Sequence, residues 1–86
     1  MQRRWIGSPD YRAAIQAIKA ARIERGLSQR EVAKRIGKPV SFVNKIELIE
    51  RRIDIIEFIQ VCRALEIAPG SLIEQIAAAT RLDPDF

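Results

Sequence analysis

Ser28-Gln29-Arg30-Glu31-Val32-Ala33-Lys34-Arg35-Ile36-Gly37-Lys38-Pro39-Val40-Ser41-Phe42-Val43-Asn44-Lys45-Ile46-Glu47 reads as two short helices joined at a glycine. Ser28 has the hydroxyl that caps a helix start, and Glu31, three residues on, can reach back to complete a capping box. Gly37 supplies the left-handed backbone that ends this first helix, expected over 28–36. Pro39 lacks an amide hydrogen and has φ near the helical value, so it suits the first turn of the second helix, expected over 39–47. Val32, Ala33 and Ile36 on one helix, and Val43 and Ile46 on the other, fall at offsets that face a common core, and Ala33 is small enough for close helix approach.

Outward from this pair, apolar spacing favours helices throughout, with no alternating strand pattern, repeat or low-complexity tract. Ser8-Pro9 form a cap and first-turn pair. Tyr11, Ala14, Ile15, Ile18, Ala21 and Arg22 then follow at helical spacing until Gly26. Asp54 and Glu57 repeat the capping-box spacing, predicting a helix to about Leu65 with Ile55, Phe58, Ile59, Cys62 and Leu65 available for burial. A fifth helix follows Pro69, over about 70–79, where Leu72, Ile73, Ile76 and Ala77 make an apolar stripe. The expected organisation is an all-α five-helix domain over 8–79, with an N-terminal arm over 1–7 and a C-terminal tail over 80–86. For the arm, which carries Arg3, Arg4 and Trp5, two readings stand: a basic segment touching phosphates, or a frayed end.

With 86 residues, 48% of them hydrophobic, the chain suits one small domain without room for a second ligand-sensing domain of ordinary size. So small a core is expected to leave a net stability of only about 3–5 kcal/mol, which makes further burial in a homodimer favourable. The single cysteine, Cys62, cannot pair within the chain and reads as a small core residue. With no signal-peptide pattern and no long apolar span, a cytoplasmic location and no membrane partner are expected. There is no histidine, so metal and acid–base chemistry start from a poor position, and neither a metal, a cofactor nor an enzymatic activity is expected. Residues 1–45 hold eleven Lys and Arg against three Asp and Glu, whereas residues 46–86 hold four against eight, so the net +4 divides into +8 and −4. Positive charge concentrated around the helix pair is what a phosphate-facing surface requires.

From about Ile18 to Ile76 the chain resembles the lambda-repressor-like, or XRE-type, helix-turn-helix family. The resemblance is carried by Ala21-Arg22, Arg25-Gly26-Leu27-Ser28-Gln29-Arg30-Glu31-Val32-Ala33, Ile36-Gly37 and Ser41-Phe42-Val43-Asn44-Lys45-Ile46-Glu47, then by Arg51-Arg52, Ala64-Leu65, Pro69 and Leu72. It implies a five-helix domain, bacterial or phage in origin, that binds operator DNA as a dimer. Carried over residue by residue, it places Gln29 at a helix N-terminus against phosphate and in support of a base contact. Val40, Ser41, Asn44 and Lys45 match the exposed positions that meet base edges. Phe42 reads as packing beside the motif rather than stacking on a base. Arg51 and Arg52 match phosphate contacts, with Arg30, Lys34 and Lys38 sharing that role. Arg22 and Glu47 correspond to an internal ion pair, and Leu72, Ile73 and Ile76 to a dimer surface on helix 5.

The chain departs from the family after Glu47, where glycine is common but Leu48-Ile49-Glu50 stands, and at Glu66, where glycine often ends the fourth helix. A β-branched Ile49 would be strained in a left-handed cap, so either the helix runs on or the turn takes another shape. Leu48, Ile49 and Ile53 are expected in the core first and on a partner surface second. The leading functional expectation is a dimeric repressor reading two major-groove half-sites of double-stranded DNA. The alternatives are the DNA-binding antitoxin of a toxin–antitoxin pair, which would carry a second protein-binding surface, and a protein-interaction module on the same scaffold.

Overall fold

The structure is a computed structural model and describes residues 7–81; the arm residues 1–6 and tail residues 82–86 lie outside the described residues. Five helices follow one another: α1 (Pro9–Glu24), α2 (Gln29–Arg35), α3 (Val40–Glu47), α4 (Ile55–Ala64) and α5 (Pro69–Ala79). No strand occurs among the described residues. The chain folds α1 back against α5 and α3, and stacks α2 on α3 and α4.

Three of the helix starts are fixed by local chemistry. The Ser8 hydroxyl accepts from the Tyr11 amide at 3.2 Å with Pro9 in the first turn. Ser28 Oγ accepts from the Glu31 amide at 3.0 Å, while the Ser28 amide donates to Glu31 Oε1 at 3.0 Å. The same reciprocal pair joins Asp54 and Glu57, at 2.7 and 3.0 Å. Each pair satisfies two amides that the helix itself leaves without partners. Leu27 and Val32 flank the first box, and Ile53 and Phe58 the second, at the positions of a hydrophobic staple; all four pack in or against the core. Pro39 is the exception to the expected starts: at φ −64° and ψ 153° it is the extended residue before α3, so the helix begins at Val40.

The first four helices end alike. After each C-cap comes one residue with positive φ, namely Gly26 (71°), Gly37 (69°), Ile49 (60°) and Glu66 (58°). The amide of that residue and the next one bond back to carbonyls near the helix end. For α3 these are Ile49 to Ile46 at 3.1 Å and Glu50 to Lys45 at 2.8 Å; for α4, Glu66 to Arg63 at 3.1 Å and Ile67 to Cys62 at 2.9 Å. This is the Schellman arrangement. Ile49 and Glu66 therefore make the same turn that Gly26 and Gly37 make. The chain adopts the left-handed cap with side chains that disfavour it, at about 1–2 kcal/mol per residue.

The core holds Ile15, Ile18 and Ala21 of α1, Val32 and Ala33 of α2, Val43 and Ile46 of α3, Phe58, Val61, Cys62 and Ala64 of α4, Leu65, and Leu72 of α5. Burying a Leu or Ile of this kind contributes about 1.5–3 kcal/mol. Burial pushes the Cys62 thiol upward, away from the reactive thiolate. Ile55, expected inside, is 73% exposed. The periodic set Phe58, Cys62 and Leu65 does face the core, but the first turn of α4 overhangs it, and Ile53 from the preceding loop fills the space instead. Ala77 is likewise exposed, and Leu48 projects outward, whereas Ile49 and Ile53 pack against the core.

Candidate nucleic-acid interface

Val43 and Ile46 anchor one side of α3 in the core, which leaves Ser41, Asn44 and Lys45 on its outer side. These three lie at i, i+3 and i+4 and so share a face. Together they offer a hydroxyl, a carboxamide and an ammonium, the groups that pair with base edges in a major groove. Val40, expected beside them, is half-buried and packs against the core, so only part of it remains for a thymine methyl. Phe42 is also half-buried. The Arg51 guanidinium lies 4.5 Å from its ring centroid and Lys38 Nζ 5.6 Å away, a cation–π arrangement that uses the ring as a support inside the protein.

The orientation of α3 is set at its last residue. Arg22 Nε donates to Glu47 Oε2 at 2.7 Å and Arg22 Nη2 to Glu47 Oε1 at 3.0 Å, a two-pronged pair between α1 and α3. Arg22 Nη1 donates to the Leu27 carbonyl at 2.8 Å, and Gln29 Nε2 donates to Glu47 Oε1 at 2.8 Å. The Glu47 carboxylate thus joins α1, the start of α2 and the end of α3, and Arg22 adds the turn after α1. With side chains only 12% and 5% exposed, Arg22 and Glu47 sit where screening by water is weak. Gln29 stands at the N-terminus of α2 as expected, but one donor of its amide is held by Glu47.

Arg30, Lys34, Lys38 and Arg52 are exposed. Arg51 differs from the expectation of a phosphate contact. Its Nη1 and Nη2 donate to Glu57 Oε1 and Oε2 at 2.9 and 2.7 Å, and Nη1 also bonds the Arg52 carbonyl at 2.7 Å. A guanidinium so engaged, and stacked on Phe42, fastens the loop after α3 to the first turn of α4. The hydrogen bond from Arg51 holds the Glu57 carboxyl below its ordinary value, against the opposing effect of desolvation. The Arg51–Glu57 pair is hidden in the sequence because Glu57 also serves as a capping residue, and the Gln29–Glu47 link because its partners lie 18 residues apart. The spacing Arg51 to Glu57 across a helix start was the signal available.

On α5, Leu72 is completely buried, which removes it from any surface; Ile76 is half-buried against the core and Ile73 stays exposed. Packing on α1 and α4 thus takes up Leu72 and part of Ile76, while Ile73 and Ala77 of the stripe stay exposed. Among the described residues no cluster of three His, Cys, Asp or Glu side chains forms, and no helix is long and apolar enough to cross a membrane.

The sequence profile of a helix-turn-helix family matches residues 18–72. Among solved structures, an XRE-family like protein from Pseudomonas syringae pv. tomato str. DC3000 is 41% identical, with 83% of this chain and 87% of that one covered and a TM-score of 0.78. The clp gene regulator ClgR from C. glutamicum shares the fold at 20% identity, covering 83% of this chain and 92% of that one with a TM-score of 0.73. No curated protein matches the chain. The matched region spans α1 to α5 and includes the braced α2–α3 pair with its outward Ser41, Asn44 and Lys45, and on these grounds the chain belongs to the XRE-type helix-turn-helix family of DNA-binding regulators.

Proposed function

We propose that this protein is a sequence-specific regulator of transcription that acts as a homodimeric repressor, laying α3 in the major groove of each half-site of an inverted repeat in bacterial or phage DNA. The observation that carries the reading is the division of α3 into a buried face and a polar face. Ser41, Asn44 and Lys45 project from a helix whose angle is fixed from behind by Glu47, so base edges meet groups already in place. Lys45 suits guanine O6 and N7, Asn44 suits adenine, and Ser41 several bases, each good pairing contributing about 1–3 kcal/mol of discrimination. Val40, at the start of α3, offers its remaining surface to a thymine methyl. Arg30, Lys34, Lys38 and Arg52 supply phosphate contacts that set register without reading sequence. Gln29, at the N-terminus of α2, adds a phosphate contact through what its amide has left after Glu47. Half-sites then lie about 34 Å apart along the duplex. Such a role involves no catalysis and is exercised in the cytoplasm, on the nucleoid.

The test is selection of bound sequences from random duplex DNA with the wild type and with the triple variant Ser41→Ala/Asn44→Ala/Lys45→Ala, at two salt concentrations. An inverted repeat recovered by the wild type and lost by the variant is the expected result, with binding that weakens steeply as salt rises. Absence of an enriched motif, or enrichment indifferent to these three residues, would overturn the proposal in favour of a protein-interaction role.

A further inference from the structure

The C-terminal ends of α2 and α4 border an open hollow of about 310 Å³, lined by Arg35 and Ile36 on one side and by Gln60, Arg63 and Ala64 on the other. Its lining divides by chemistry. Ile36 is half-buried and Ala64 buried, an apolar floor, while Arg35, Gln60 and Arg63 are exposed. Arg35 Nη1 donates to the Ala64 carbonyl at 2.6 Å, a bond that ties α2 to α4 and holds the guanidinium at the hollow. A guanidinium has five N–H donors, so most of this fork is left over. Neither Arg35 nor Arg63 forms a salt bridge among the described residues. No carboxylate lines the hollow. Of the acids within one turn in sequence, Glu31 is bonded to the Ser28 amide, Glu57 to Arg51, and Glu66 lies outside the lining. Helix C-termini carry partial negative charge that opposes an anion, but here the terminal carbonyls are covered. The Gly37 and Lys38 amides bond back to Lys34 and Ala33, those of Glu66 and Ile67 to Arg63 and Cys62, and Arg35 takes Ala64.

We propose that this hollow binds a small organic oxyanion, a carboxylate or phosphate ester whose charged end sits between Arg35 and Arg63 and whose apolar body rests on Ile36 and Ala64. Guanidinium forks match both anionic groups with paired hydrogen bonds, and the Gln60 carboxamide adds a donor. Two positive groups that border one hollow without an acid repel each other, and an anion between them turns that repulsion into attraction. The size fits as well, since 310 Å³ stands at the small end of ligand pockets, and an apolar lining with a few convergent polar groups is their usual make-up. The interior cavity under Arg22 and Glu47, at about 10 Å³, has room for no more than one water. None of the residues lining the hollow is among those proposed to touch DNA. The two roles are therefore separate, and each can fail without the other.

The experiment is a nitrogen–proton NMR titration of the full chain with phenyl phosphate and with inorganic phosphate, at fixed pH and with sodium chloride holding the ionic strength constant. Wild type is compared with Arg63→Gln, Arg35→Lys and, as a control on α1, Arg12→Gln. Arg63 makes no side-chain hydrogen bond among the described residues and Lys keeps the charge at position 35, so the urea midpoints should stay near the wild-type value. Phenyl phosphate should give saturable shifts centred on the amides of residues 35–37 and 60–66, with a dissociation constant of about 1 mM for two charge-assisted contacts in an open site. Arg63→Gln should weaken binding at least fivefold and Arg35→Lys at least twofold, with Arg12→Gln unchanged. Inorganic phosphate should bind at least threefold more weakly than phenyl phosphate, because it leaves the apolar floor uncovered. Shifts that do not saturate, that chloride reproduces, or that persist in Arg63→Gln would overturn the site. Equal binding of the two phosphates would overturn an organic ligand. Displacement of phenyl phosphate by a random-sequence duplex would assign the hollow to DNA backbone and overturn the small-anion site, while leaving the DNA-binding reading intact.

Discussion

Glu47→Ala is the substitution that tests the brace behind α3. The carboxylate accepts two bonds from Arg22 and one from Gln29. Removing it leaves a guanidinium only 12% exposed with the Leu27 carbonyl as its remaining partner. An uncompensated charge in such a place costs about 3–5 kcal/mol. Against the net stability of about 3–5 kcal/mol expected for so small a core, the variant should lose most of its stability and unfold at far lower urea or without any. The other ion pair provides the contrast. The Arg51 side chain is 40% exposed, and water already shields its bond to Glu57, so Arg51→Ala should cost about 1 kcal/mol or less. Urea unfolding followed by far-UV circular dichroism, for Arg22→Met, Glu47→Leu and the pair together, completes a double-mutant cycle. The double variant should be more stable than Glu47→Leu alone, because removing both charges removes the orphan. A cost below about 1 kcal/mol for Glu47→Ala, or strict additivity in the cycle, would refute the argument that desolvation governs this pair.

Further outcomes concern the helix ends and the perturbed carboxyls. Glu66→Gly should stabilise the fold by about 0.5–1 kcal/mol in the same urea assay, since relief of the left-handed strain exceeds the entropy that glycine adds to the unfolded chain. Ile49→Gly should show no such gain, because its half-buried side chain packs against the core and that packing is lost. Glu57 and Glu31 both titrate below the ordinary 4.5 in the folded state, the first through Arg51 and the second through Ser28. A depressed folded value means a contribution that is fully present above the unfolded carboxyl value and lost as pH falls through the lower folded one. Stability should therefore decline on acidification below about 4.5, and Glu57→Gln should flatten that decline in urea melts taken at a series of pH values.

What could be read from the sequence was the chemistry confined to a few neighbouring residues. Ser28 with Glu31, Asp54 with Glu57, and the glycines at 26 and 37 announce helix boundaries because caps are built within one turn. The Arg22–Glu47 pair spans 25 residues and came from family resemblance; no local rule would have linked them. The misreadings have one origin. Extending a periodic stripe to the helix start puts Ile55 in the core, and family resemblance puts Leu72 on a surface, yet burial depends on where neighbouring helices stop. Ile49 and Glu66 violate the preference for glycine because tertiary packing outweighs a penalty of one or two kcal/mol. Arg51 looked like a phosphate ligand since a basic residue after α3 could be seen, whereas the Phe42 ring and Glu57 waiting for it could not.

Among the described residues, the side chains of Ser41, Asn44 and Lys45 take no part in hydrogen bonds within the fold, while Val43, Ile46 and Glu47 hold the same helix in place. On the proposed DNA-reading role, sequence preference and the stability of the protein would lie on separate sides of the eight residues of α3. If these positions read DNA as proposed, exchanges at 41, 44 and 45 would redirect the protein to a new operator while leaving its melting behaviour nearly unchanged, and paralogues with distinct targets could diverge by point mutation without passing through unfolded intermediates.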